Sequence, residues 1–382
     1  MNASPAVLDE LTPLQSVRWR HCAACDDSVP VAGGMRRRGL LFGAAAAGAA
    51  ALAGCSSAVM APAAPALNLS QSAGRIDVHH HLSPPAWVAV ARSRGIDGLA
   101  TNWTVEKSLA DMDRAGIATS MLSVTTPGIV FPDLDVAAGR KLARDSNEYM
   151  ARLKSDHPGR FGSFATIQMY DIEGGLAEIA YALDVLKADG IGLLTSYGDK
   201  WLGDPVFFPI MEELNRRKVV VYTHPTAANC CGNLQANVQP VMIEFGTDTT
   251  RTIASILFNG NSRRFRDIRW IFSHAGGTMP FLIERFVRNP ILVPSSAALF
   301  PDGVASELRR FYYDTAQAAN PAAMSALTKV VPVSQIVLGT DFPYRTGLDH
   351  VKGLRDCGVF NDADLRMIER DTALALLPRV RR

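Results

Sequence analysis

The stretch "RIDVHHHLSPP", Arg75 to Pro85, places three of the chain's eight histidines side by side. Ile76 and Val78 are the apolar residues of a short strand, and the double proline stops it. Side chains on a strand alternate between faces, so His79, His81 and Asp77 share one face and His80 points the other way. Such a strand end carries either a pair of metal ligands or a chance cluster. The remaining potential ligands decide between the two.

From Arg75 onward, short apolar runs alternate with longer helical patterns. Seven further candidate strands follow the first (75–81): "TSMLSV" (119–124), "FGSFATI" (161–167), "IGLLTS" (191–196), "VVVYTH" (219–224), "IRWIFSH" (268–274), "RFYYDT" (310–315) and "QIVLGTD" (335–341). Several are apolar on both faces, as strands covered on both sides are. Helical patterns lie between them at 104–116, 137–158, 176–190, 205–218, 247–260 and 372–380. The first places Val105, Leu109 and Met112 on one stripe and ends at Gly116. Strands alternating with helices predict a parallel sheet with helical crossovers, and eight such units predict an α/β fold of the (β/α)8 TIM-barrel type.

Composition excludes some function classes. The 382 residues are 48% hydrophobic and 20% charged, an ordinary globular balance with material for a large core. A net charge of +2 offers no basic field for nucleic acid, and the short "RRFR" cluster at Arg263–Arg266 reads as a solvated loop. Cys22 and Cys25 form a lone CxxC without a second pair. Cys230, Cys231 and Cys357 are an odd count that makes no disulfide framework.

The first 73 residues differ from the rest. "MRRRGLLFGAAAAGAAALAGC", Met35 to Cys55, sets three arginines before an alanine-rich run too short for the ~20 residues of a membrane span. Arg37-Arg38-Gly39-Leu40-Leu41 resembles a twin-arginine export signal, and "LAGC", Leu52 to Cys55, resembles a lipoprotein lipobox with Cys55 as the lipidated residue. Residues 1–55 are thus an N-terminal extension with an export signal, 56–73 a Ser/Ala/Pro-rich tether, and 74–382 the barrel. The expected location is the periplasm or a lipid-anchored membrane surface; without export it is the cytoplasm.

Chemistry collects at strand ends. His79 and His81 end the first candidate strand, His224 ends "VVVYTH", His274 ends "IRWIFSH" and Asp341 ends "QIVLGTD". In a (β/α)8 barrel these ends converge on the face where active sites sit. Neutral imidazole and carboxylate together suit a divalent metal, Zn²⁺ first, with Mn²⁺ as the alternative.

"IDVHHH", "YTHP", "FSHAGG" and "GTDFP", in this order, resemble the amidohydrolase superfamily, most of all its aminocarboxymuconate-semialdehyde decarboxylase-like branch. The likeness spans roughly residues 75 to 380, and local runs look like those of 6-methylsalicylate decarboxylases. The resemblance implies that His79, His81, His224 and Asp341 hold the metal. It makes His274, with Asp341 as the alternative, the group that handles a proton. Arg285 and Trp201 become candidates for substrate binding, and a homodimer the expected assembly. No lysine lies in the fourth strand, so a single metal ion is expected. The implied activity is non-oxidative decarboxylation of a salicylate-like or related unsaturated carboxylic acid. The alternative is hydrolysis of a lactone, ester or amide at the same centre.

Overall fold

The computed structural model describes residues 74–231 and 237–381; Arg37, Arg38, Cys55 and the tether lie outside the described residues. Eight strands form one sheet in chain order: β1 (Arg75–Leu82), β2 (Ile117–Val124), β3 (Phe161–Thr166), β4 (Gly190–Leu194), β5 (Val220–His224), β6 (Arg269–Phe272), β7 (Tyr312–Asp314) and β8 (Ile336–Val337). Each pairs in parallel with the next. The predicted strands and the predicted (β/α)8 barrel are therefore observed.

Closure between β8 and β1 is irregular. Val78 N donates to Leu338 O (2.8 Å), Asp341 N to His79 O (2.9 Å) and His81 N to Phe342 O (2.8 Å). Of the predicted strand 335–341, only Ile336–Val337 is regular strand, and Asp341 takes a φ of 68°.

β1 corrects the alternation expected from its sequence. Asp77 lies opposite Ser120 and His80 opposite Leu122, so β1 carries one extra residue between them. This β-bulge turns Val78 and His79 to the same side and places Asp77 on the side of His80, away from His79 and His81. Inside the barrel, Ile76 and Val78 pack with Phe164, Val220, Tyr222, Ile271 and Val337.

The double proline both ends β1 and starts a helix, α1 (Pro85–Arg92), because a proline in the first turn gives up no hydrogen bond. α2 (Val105–Ala115) is capped by Thr104, whose hydroxyl accepts from Lys107 N (3.3 Å), and closes on the left-handed Gly116. α3 (Val136–Asp156), α4 (Ile172–Ala180), α5 (Phe208–Arg216), α6 (Glu244–Phe258), α7 (Pro321–Val330), α8 (Gly347–Asp356) and α9 (Thr372–Leu376) continue the outer layer, with shorter helices between them. Their apolar stripes cover the sheet from outside, each buried Leu or Phe side chain contributing about 1.5–3 kcal/mol. At the opposite end from the strand termini that carry histidine, Arg75 Nε meets Glu369 Oε2 at 3.0 Å with both side chains buried. No helix among the described residues is long and apolar enough to cross a membrane.

Candidate active site

His79, His81, His224 and Asp341 are buried, and each offers a ligand atom within 4.8 Å of the other three. The Nε2 atoms of His79 and His81 are 3.1 Å apart, and those of His81 and His224 are 3.2 Å apart. Asp341 Oδ1 lies 3.1 Å from both His79 Nε2 and His81 Nε2. The four ligands predicted from sequence are thus brought together from β1, β5 and the segment after β8.

What holds the rings explains why these atoms converge. His79 Nδ1 meets Asp314 Oδ2 at 2.8 Å. His224 Nδ1 meets Thr126 Oγ1 at 2.8 Å, and that hydroxyl donates to Pro225 O. His81 Nδ1 lies 3.4 Å from Ser123 Oγ. With Nδ1 engaged outward, the Nε2 lone pairs face one another, an arrangement that a shared cation satisfies and hydrogen bonds among them do not. The carboxylates draw positive charge to this point, either as a proton on His79 or as a cation shared by the four residues. Burial opposes protonation of His79, yet the Asp314 and Asp341 carboxylates outweigh it and push His79 up to about 10. Burial, then the neighbouring histidines, hold His224 well below its ordinary value. Burial would raise Asp341, but the positive His79 keeps it well below the carboxylate range. The donor set therefore fits one divalent metal ion.

His274 stands at the edge of this cluster. Its Nε2 lies 3.6 Å from Asp341 Oδ2, beyond hydrogen-bond reach, and has no hydrogen-bond partner although it is buried. The sequence "HAGG" explains its placement. His274, Ala275, Gly276 and Gly277 all take positive φ, between 55° and 75°; Ala275 is left-handed (ψ 26°), and the turn ends at Gly277, whose ψ is −129°. His274 N donates to Asp314 Oδ1 (2.8 Å), so one carboxylate fixes both the His79 ring and the His274 backbone.

The sequence reading missed Asp314 and Gln317. Asp314 ends β7, the position that singled out the other site residues. Gln317 Nε2 donates to Asp341 Oδ2 (2.9 Å) from a residue at φ 53°, for which the sequence holds no signal.

No hydrogen bond or ion pair links Trp201 or Arg285 to the cluster. A hairpin, Ser196–Tyr197 with Lys200–Trp201, follows β4, and Trp201 Nε1 donates to the buried Asp248 on α6 (2.7 Å). Arg285 is exposed on the short helix Ile283–Val287, beyond the "HAGG" turn. A small cavity of about 20 Å³, room for a single water, adjoins His224, its wall mostly apolar and built from residues such as Ile129, Val130, Leu194 and Tyr197.

A sequence profile described as Amidohydrolase matches residues 76–379. The chain is similar to a protein named 6-methylsalicylic acid decarboxylase from Aspergillus aculeatus, 35% identical over 81% of this chain and 97% of that one. It is also similar to a protein named decarboxylase from Aspergillus niger, 35% identical over 80% of this chain and 88% of that one. Among solved structures it resembles 5-carboxyvanillate decarboxylase from Sphingomonas paucimobilis (TM-score 0.69, 22% identity, 80% of this chain and 99% of that one). It also resembles a dihydroxybenzoic acid decarboxylase from a Polaromonas species with bound manganese (TM-score 0.69, 18% identity, 81% and 98%).

Proposed function

The chain belongs to the amidohydrolase family, and on that premise we propose that it is a metal-dependent carboxy-lyase acting on a small salicylate-like aromatic acid. One observation carries the reading. Three imidazole nitrogens and a carboxylate oxygen converge, and beside them the buried His274 Nε2 has no partner of its own. Zn²⁺ is the ion proposed, because three nitrogens and one carboxylate suit it; Mn²⁺ is the alternative. When bound, the metal supplies a Lewis acid for the substrate's carboxylate or ortho-hydroxyl.

His274 delivers a proton to the ring carbon that bears the carboxylate. The bond to the carboxylate then breaks, its electron pair stays on the ring, and CO₂ leaves. His274 recovers its proton from water. Asp341 is held as a ligand, since Oδ1 faces His79 and His81 and Oδ2 accepts from Gln317.

The leader is proposed to direct export, with Cys55 as the lipidated residue. Self-association as a homodimer is supported by exposed apolar side chains near Arg285 in the chain: Phe281 (88% exposed), Ile291 (69%) and Leu292 (71%).

The test is CO₂ release from 6-methylsalicylate, salicylate and 2,6-dihydroxybenzoate by the metal-loaded protein, with aryl lactones in parallel. Release of CO₂ from a salicylate is expected. Lactone opening with no CO₂ from any acid would overturn the assignment in favour of a hydrolase.

A further inference from the structure

The outer face of β1 carries a second set of buried polar contacts, and they belong to none of the metal ligands' side chains. Asp77 is fully buried and receives four donors. Oδ1 accepts from His79 N and Thr340 N, each at 3.0 Å. Oδ2 accepts from Thr340 Oγ1 (2.6 Å) and from His80 Nδ1 (3.1 Å). His80 is in turn fixed from two sides. Its Nε2 meets Ser108 Oγ on α2 (2.9 Å), which also accepts from Trp103 Nε1 (2.8 Å). Its ring stacks on Phe342, with centroids 4.7 Å apart.

The position of these bonds gives them consequence. The bulge in β1 takes His79 N out of the regular ladder, and Asp77 accepts that amide instead. Thr340 immediately precedes Asp341 and Phe342 immediately follows it. Asp77 therefore ties the strand that supplies two ligands to the segment that supplies a third, at the seam where β8 has already stopped pairing regularly. Gly339 keeps the seam tight, because a Cβ there would stand 2.8 Å from His79 Cβ.

We infer that Asp77, His80 and Thr340 form a clasp on the outer face of β1 that sets His79, His81 and Asp341 in place to hold the metal, so that His80 is a positioning residue although its ring turns away from the ligands. The inference rests on the metal reading of the four-residue cluster. Outer partners that orient metal ligands are worth about 10–100-fold in affinity.

The experiment titrates the full-length metal-free protein with Co²⁺. It records the visible spectrum of the bound ion, which reports ligand number and arrangement, and the melting temperature of each metal-free variant. Thr340→Val removes one hydroxyl and is expected to weaken Co²⁺ binding about tenfold. His80→Phe keeps the stack but loses the Nδ1 donor, and is expected to weaken binding about 10–100-fold with an altered spectrum. Asp77→Asn should bind more tightly than Asp77→Ala, because its Oδ1 still accepts from both backbone amides. If Asp77→Ala does not fold, Thr340→Val and His80→Phe decide the matter. Wild-type affinity and an unchanged spectrum in both, whatever their melting temperatures, would overturn the clasp. A wild-type protein that binds no Co²⁺ would overturn the metal reading and the clasp with it.

Discussion

His274 and Asp341 both hold positive φ, 55° and 68°, a backbone region that costs a residue with a β-carbon about 1–3 kcal/mol. Their side chains divide the work. Asp341 has one oxygen on two histidines and the other on Gln317, whereas His274 Nε2 makes no hydrogen bond. Asp341→Ala should therefore lose the metal and all turnover. His274→Ala should keep the metal and lose about 10²–10⁴-fold in kcat, the usual share of a positioned acid or base. Metal analysis of the purified variants beside single-turnover rates checks this, and a metal-free His274→Ala would make His274 a ligand. All four candidate ligands and His274 are legible in the sequence because each is a histidine or aspartate at the end of an apolar run. Asp314 obeys the same rule within "RFYYDT" and was passed over, although it holds both His79 and His274. Gln317 was not legible, since its contact arises from a loop conformation that composition does not encode.

The "HAGG" turn acts as an element, wedged between β6 and α6. Thr278 N donates to Thr250 Oγ1 on α6 (2.8 Å), and Gly277 passes so near that a Cβ on it would lie 1.9 Å from Gly246 O. With φ at 66°, alanine at position 277 meets both a clash and a disfavoured backbone. Gly277→Ala should cost about 3 kcal/mol and reduce kcat by shifting His274, as measured by urea unfolding and by turnover at saturating metal. An unchanged unfolding midpoint would show that α6 yields without consequence. Elements were legible where periodicity alone defines them, as in the eight strands and in α2 between Thr104 and Gly116. The bulge in β1 was not, because an extra residue is a matter of backbone pairing and leaves the pattern of Ile76 and Val78 intact. α1 was hidden by reading Pro84 and Pro85 only as a stop. The hairpin at 196–201 was hidden because its anchor, Asp248, lies far along the chain.

At the scale of the molecule, the barrel separates two ends with different tasks. The strand ends that carry His79, His81, His224 and Asp341 gather the chemistry, and the opposite end is joined by the buried pair of Arg75 and Glu369. Arg75 also donates to Ala115 O (3.0 Å), so the first residue of β1 is part of the fold. Among the described residues, every strand and every candidate site residue lies at or after Arg75, which predicts where the leader can be removed. A chain beginning at Gly74 should fold, bind one metal ion and turn over like the full-length protein. A chain beginning at Ile76 removes the buried Arg75 and leaves Glu369 with Arg355 (3.3 Å) as its cation, and should lose about 1–3 kcal/mol of stability, the usual consequence of losing one buried charged hydrogen-bond partner. Arg37 and Arg38 should be needed for export and Cys55 for anchoring, and none of the three for catalysis. Unfolding midpoints, metal content and CO₂ release for the two shortened chains test the boundary. Equal stability of the two would remove Arg75 from the fold's essential contacts, and an unfolded or inactive chain from Gly74, supplied with metal, would assign the leader to the fold.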